Sequence, residues 1–365
     1  MVSGAEAWAN GRWQQPLANG RLVCTLCPRA CQLLDGQRGF CFTRKRERDS
    51  ILLTSYGMAS GFCVDPVEKK PLFHFLPGSA VLSFGTAGCN LGCRFCQNWD
   101  ISKARDISRT SSAGSPENIA KTAANWGCSA VAFTYNDPVI FAEYAIDTAH
   151  ACHALGIRTI AVTAGYISEN AREAFFSVMD AANIDLKGFT ESFYRGLCAA
   201  ELGPVLETLK YVARSATWLE ITTLLIPGQN DSPEEVEGLC GWVFEQLGPQ
   251  VPLHFTAFHP DYRTLDIPAT PAATCQRARR QAINLGLKHV YTGNVVDSAG
   301  QSTYCPQCGS TVIRRDGYSI TSWELDGNRC RICNAEIAGR YAQAGPSKFG
   351  PHRLPVQVPS APAQR

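Results

Sequence analysis

Cys89, Cys93 and Cys96 stand in C-x3-C-x2-C register within the segment Gly85-Thr86-Ala87-Gly88-Cys89-Asn90-Leu91-Gly92-Cys93-Arg94-Phe95-Cys96. Three thiolates so spaced can hold three irons of a cubane cluster, whereas electron-carrying clusters and structural zinc sites take four protein ligands. One iron is then left open to a ligand from outside the protein. The glycines at 85, 88 and 92 let the backbone fold tightly around a bulky inorganic core and leave amide N–H groups near sulfur. The plain structural alternative is a zinc knuckle short of one ligand.

Two further cysteine groups flank this triplet. Cys305-x2-Cys308 and Cys330-x2-Cys333 enclose a segment with alternating apolar residues, the pattern of a zinc ribbon or of a rubredoxin-like mononuclear iron site. Zinc is the preferred reading, because a small knuckle needs a metal to fold. Cys24, Cys27, Cys31 and Cys41 form a second four-thiolate set. Its metal is left open between a structural zinc, the leading reading, and an auxiliary cluster. The other six of the seventeen cysteines (63, 128, 152, 198, 240 and 275) are scattered and read as small buried hydrophobes. Such tight grouping points to metal rather than disulfides, and no basic segment with an apolar run behind it opens the chain. The expectation is an unexported, cytoplasmic protein with no membrane span. A formal net charge of only +2 argues against nucleic acid as a partner.

The elements that must position these residues follow from the pattern between about residues 80 and 293. Short β-rich runs at 81–84, 130–135, 158–163, 184–187, 219–226, 253–258 and 289–292 alternate with longer helical patterns. Helix starts are signalled at Ser115-Pro116, at Thr270-Pro271, and at Ser232-Pro233-Glu234-Glu235, where Ser-x-x-Glu reads as a capping box. A repeated β-α order gives an α/β fold with a parallel sheet, doubly wound or closed into a full or partial barrel, and periodicity does not choose between them. Either way ligands gather at the carboxyl ends of the strands, where the cysteine triplet lies. Prolines at 66, 71 and 77 exclude a continuous helix in the lead-in, and the Pro-rich end of the chain lacks an apolar period and reads as disordered. The expected division is 1–79, 80–299, a knuckle at 300–343 and a tail at 344–365.

With an aromatic residue, Phe95, before its last cysteine, the triplet resembles the signature of radical S-adenosylmethionine (SAM) enzymes. Within that superfamily the chain resembles pyruvate formate-lyase activating enzymes and, nearer still, the radical SAM component of the AmmeMemoRadiSam system. The phrases DPVEKKPLFHFLPGS, CNLGCRFCQNWDIS and AFTYNDP carry the likeness, which runs from about residue 21 to 335. It implies a partial (β/α) TIM-type barrel with cysteine-rich metal knuckles at both ends. It also implies a [4Fe-4S] cluster on Cys89, Cys93 and Cys96 whose open iron binds SAM, and a 5'-deoxyadenosyl radical as product. Asn136 and Asp137 match the segment that contacts the methionine amino group, although Asp137 stands where relatives more often have Glu. Helix capping is the alternative role for that pair. Asp185 and Lys187 resemble a segment reaching ribose and carboxylate, with a surface ion pair as the alternative. His259 matches a position near the sulfonium, and Phe95 is expected beside the adenine. His74 and Glu68-Lys69-Lys70 belong to the shared phrases, and a structural role is expected for them.

The implied substrate is a protein or a protein-bound group, with AMMECR1-like or Memo-like proteins as candidate partners and a ferredoxin or flavodoxin as electron donor. Activation of a glycyl radical enzyme is the alternative reaction. A metal-stapled scaffold without catalysis is the alternative from a different class, and it predicts a colourless protein that does not cleave SAM.

Overall fold

The computed structural model describes residues 8–106, 112–343, 345–347 and 349–359. Its centre is a sheet of seven parallel strands: β2 (Ala80–Gly85), β3 (Ala130–Phe133), β4 (Arg158–Thr163), β5 (Ala181–Asp185), β6 (Trp218–Leu225), β7 (Leu253–Ala257) and β8 (Val290–Gly293). Each pairs in parallel with the next in chain order. Sequential order means one winding direction, with no reversal of the kind a doubly wound sheet shows. No pairing joins β8 back to β2 among the described residues, so the barrel is partial. The main helices are α1 (Pro116–Asn125), α2 (Ala142–His153), α3 (Glu169–Phe176), α4 (Gly203–Ala213), α5 (Pro233–Leu247) and α6 (Ala272–Asn284).

The strands are buried on both faces, as parallel strands covered by helices must be. Alternate residues sort between two clusters. Leu82, Phe84, Val131 and Phe133 join the main core, while Val81, Ala130, Ala132, Ile160 and Ala181 pack against Val67, Leu72 and Phe75 of the lead-in. The proline-rich lead-in thus plugs one end of the barrel, and small alanines on the strands make room for it. Glu220, wholly buried on β6, fixes the plug by accepting from the Phe73 and His74 amides (2.9 and 2.8 Å). It also accepts from Trp218 Nε1 at 3.0 Å and lies 2.7 Å from His254 Nε2.

Three expectations are corrected. The sheet does not begin at residue 80: β1 (Met58–Pro66) pairs antiparallel with β2, with Gly61 inside the register shift between Ser60 and Cys63 and Pro66 at the strand's end. The chain's end is not free either, because β9 (Leu354–Pro355) pairs antiparallel with β1 and Val358 is buried. Within the tail called disordered, residues 344, 348 and 360–365 lie outside the described residues. The third concerns caps: Ser232 Oγ accepts from the Glu235 amide (3.2 Å), but the Glu235 carboxylate accepts from the Phe189 amide (2.8 Å) instead of closing a box. Thr270 likewise donates to the Leu225 carbonyl and ties strand ends together.

The C-terminal knuckle has its own small core of Val312, Ile313, Leu325 and Ile337. It docks through Arg315, a fully buried cation that donates to the Phe73 carbonyl (2.8 Å) and to Thr303 (2.9 Å) and lies 3.6 Å from Glu68. Glu68 in turn accepts from the Gly78 amide, and Lys70 pairs with Asp65 at 3.0 Å. His74 lies between Tyr291 and the Ala338 carbonyl. The shared-phrase residues therefore hold the lead-in to the barrel and the knuckle. Among the described residues no helix is long and apolar enough to cross a membrane.

Candidate active site

A cavity of about 770 Å³ opens at the carboxyl ends of the strands, and Cys89, Cys93 and Cys96 all line it. Their loop leaves β2 and is held from three sides. Gly88, at φ +88°, approaches Cys41 so closely that a Cβ there would sit 2.1 Å from its carbonyl oxygen, so only glycine fits. Asn136 Nδ2 donates to the Gly88 carbonyl (2.7 Å) and its Oδ1 accepts from the Thr86 amide (3.2 Å). Behind the loop, the Gly92 and Arg94 amides donate to the carbonyls of Cys198 and Leu197 (2.8 and 2.9 Å). Lys103 Nζ donates to the Leu91 carbonyl at 2.8 Å.

The three thiols are not gathered as a single ion would gather them. In the C-terminal knuckle all four sulfurs lie within 4.8 Å of one another, whereas no such grouping includes Cys89, Cys93 and Cys96. A zinc ion with Zn–S bonds of ~2.3 Å would hold thiolates no more than about 4.6 Å apart. A wider triangle fits a larger inorganic core.

Beside it, Asp137 caps the turn that follows β3: its Oδ1 accepts from the Val139 amide (3.1 Å) and from Thr163 Oγ1 (2.8 Å). Its other oxygen, Oδ2, is buried and makes no hydrogen bond. Burial pushes this carboxyl up to about 6, against the pull of Thr163, the Val139 amide, Lys187 and, least, the nearby Ala164 amide, which stands outside hydrogen-bond geometry to Oδ2. The same burial, with the Asp137 charge next, pushes the Cys89 thiol up to about 12. Cys93 moves the other way, to about 7, through a hydrogen bond from Cys198, opposed by burial and helped by Lys187 and Lys103. A buried carboxylate oxygen without a donor is costly unless a ligand supplies one, and an ammonium does so best. Asp137 thus caps the turn with one oxygen and leaves the other without a donor.

Lys187 and Asp185 form an ion pair of 2.7 Å in the cavity wall, not on the surface. Burial works against the Lys187 charge, but Asp185 and the neighbouring thiols outweigh it and raise the group well above its ordinary range. Phe95 is buried in the wall and packs on Phe193 with ring centroids 5.9 Å apart. One residue expected near SAM stands apart from the cavity. His259 is exposed beyond the end of β7 and does not line the cavity; His254, within the strand, does. Asn136 lines the cavity, as expected, and its amide also holds the cysteine loop.

Sequence reasoning missed the Cys198 segment, Lys103 and Thr163, none of which belongs to a local motif. Tyr135, inside the phrase AFTYNDP, is held at φ +71° with its hydroxyl 2.8 Å from Cys63 Sγ, a contact no local pattern signals. Arg353 from the chain's end completes that corner, donating to Cys63 Sγ at 3.2 Å. Tyr318, on the hairpin of the C-terminal knuckle, also reaches the cavity. A second groove, about 960 Å³, lies at the opposite, amino ends of the strands near Arg158 and Thr217 and carries none of the thiols.

The sequence profile of the Radical SAM superfamily matches residues 84–240. The uncharacterized protein MJ0808 of Methanocaldococcus jannaschii is 38% identical over 325 residues, which cover 88% of this chain and 97% of that one. Among solved structures, a radical SAM methyltransferase from Sphaerobacter thermophilus is similar at a TM-score of 0.47 and 18% identity, over 62% of this chain and 71% of that one. A domain of pyruvate-formate lyase-activating enzyme from Bacteroides vulgatus is similar at 0.41 and 17%, over 46% and 99%. The chain belongs to the radical SAM superfamily. Members of this superfamily are enzymes, and their cofactors, a [4Fe-4S] cluster and SAM, are those of this chain.

Proposed function

We propose that Cys89, Cys93 and Cys96 hold the cluster and that Asp137 receives the amino group of SAM in the same cavity. The observation that carries this reading is the buried, unpartnered Oδ2 of Asp137, close enough to Cys89 for its charge to act on that thiol. When bound, the cluster supplies one electron that splits SAM into methionine and a 5'-deoxyadenosyl radical. Asp137 orients the amino acid end of SAM. Lys187, kept charged by Asp185, offers a cation to its carboxylate. Phe95 gives the adenine an apolar wall. The enclosing strand ends would keep competing hydrogen donors, such as thiols and organic solutes, away from the radical.

The substrate in this reading is a protein or a protein-bound group. A cavity of about 770 Å³ falls within the usual range for one small ligand, about 300–1,000 Å³. With cluster and SAM inside, it leaves room for one reacting group on an extended chain rather than for another cofactor-sized molecule. The phrases shared with the AmmeMemoRadiSam enzymes make AMMECR1-like and Memo-like proteins the first candidates, with a ferredoxin or flavodoxin as reductant in the cytoplasm. Activation of a glycyl radical enzyme is the competing outcome of the same substrate screen.

The test is anaerobic reconstitution with iron and sulfide, reduction, addition of SAM and assay for 5'-deoxyadenosine, beside Cys93→Ala. The product is expected only with Cys93 intact. A fully loaded protein that makes none, alone or with the candidate partners, overturns the reading.

A further inference from the structure

The N-terminal knuckle brings Cys24 from the end of the short strand Leu22–Cys24, Cys27 and Cys31 from the turn after it, and Cys41 from the loop before the strand Arg44–Glu47. The Cys24 amide donates to the Cys31 carbonyl at 2.9 Å and closes the turn. All four cysteines face one small enclosed space whose remaining walls include Leu26, Val139 and Ile140. The chain contains its own yardstick for such a set. In the C-terminal knuckle the sulfurs collapse to a single-ion spacing, with Cys305 and Cys333 3.5 Å apart and Cys308 and Cys330 3.8 Å apart. A zinc ion with ~2.3 Å bonds sets thiolates at about that separation. In the N-terminal set no three sulfurs come within 4.8 Å of one another. Four thiols that surround one enclosed space, walled also by Arg29, Arg44 and Asn90, yet stand too far apart for one ion, match a filler with several metals.

The surroundings fit such a filler. The Phe40 amide donates to Cys31 Sγ (3.4 Å) and the Thr43 hydroxyl to Cys41 Sγ (3.6 Å), the kind of contact that tunes a cluster's sulfurs. Arg44 lies in the wall as a fully buried cation, shared with Glu143.

We propose that Cys24, Cys27, Cys31 and Cys41 hold a second iron-sulfur cluster, a [4Fe-4S] cubane closed by four thiolates, in place of the structural zinc their spacing first suggests. With every iron ligated by protein, it offers no open site for SAM. It sits against the back of the other cluster's loop, since Gly88 touches the Cys41 carbonyl and Asn90 lines this space as well.

The test uses the full chain with Cys89, Cys93 and Cys96 all changed to Ala, which removes the SAM site and makes the result independent of the proposed function. After anaerobic reconstitution this variant is expected to keep about four irons and four sulfides per chain and a reducible cluster signal in electron paramagnetic resonance. Adding Cys27→Ala and Cys31→Ala is expected to abolish both. About two zinc ions and no sulfide per chain would overturn the proposal, as would iron and sulfide that survive the added substitutions. Should the triple variant misfold, the unaltered protein decides: about eight irons support the second cluster and about four exclude it.

Discussion

At the scale of single residues, Asp137 makes the sharpest claim. Asp137→Asn keeps an oxygen for the Val139 and Thr163 donors and loses the charge. SAM binding should weaken by about 10- to 100-fold, the ~1.5–3 kcal/mol of a charge-assisted hydrogen bond, with the iron content unchanged. Equilibrium titration of the loaded protein measures it. Because the carboxyl ionises near 6, the affinity of the unaltered protein should fall as pH drops through that value, and the Asn variant should show no such step. In the ligand-free fold the sign is opposite. A carboxyl raised from 3.8 to about 6 stabilises the native state below its unfolded value, and that contribution is lost as pH rises through 6. Adding SAM should remove this loss.

At the scale of elements, the cysteine loop and the lead-in plug carry the predictions. Gly88→Ala combines a strained φ with a collision against the Cys41 carbonyl, at about 1–3 kcal/mol for the backbone alone. It should lower the melting temperature and reduce iron at both the central and N-terminal cysteine sets, which metal analysis of the variant reads directly. Glu220→Gln removes the charge that receives the Phe73, His74 and Trp218 donors, and a loss of about 1.5–3 kcal/mol is expected from denaturant unfolding.

The strands were legible because each is a short apolar run of regular spacing: β4 matches its expected residues, and the others fall within three residues at either end. The winding was not legible, since helix and strand periods are the same whichever way a parallel sheet turns. Within the site, the cysteine triplet stood out through its local spacing, whereas Asp137 came from the resemblance of the phrase AFTYNDP. His259 stands outside the cavity because adjacency in a motif does not fix direction: it is exposed just beyond a strand end. Cys198 and Arg353 reach the site through tertiary packing, for which a single sequence gives no local sign.

For the whole molecule, the C-terminal knuckle joins stability to the cavity. Its four collapsed thiols fit a tetrahedral ion, and Arg315 and Tyr318 link that ion to the plug and to the cavity wall. Cys330→Ala should release about one metal ion per chain. Because the knuckle's own apolar core is small, it should then unfold ahead of the barrel, giving a second, lower transition in calorimetry.

The pairing of β9 with β1, and the reach of Arg353 to Cys63 and Tyr135, also bear on how the protein is made. A chain leaves the ribosome from its N-terminus at about 5–20 residues per second. The residues of the cysteine triplet therefore emerge well before the segment that completes the cavity wall. During that interval the pocket lacks one side, and a scaffold that delivers preassembled iron and sulfide would meet its thiols most openly then. Maturation of the nascent chain would then precede enclosure by the closing strand.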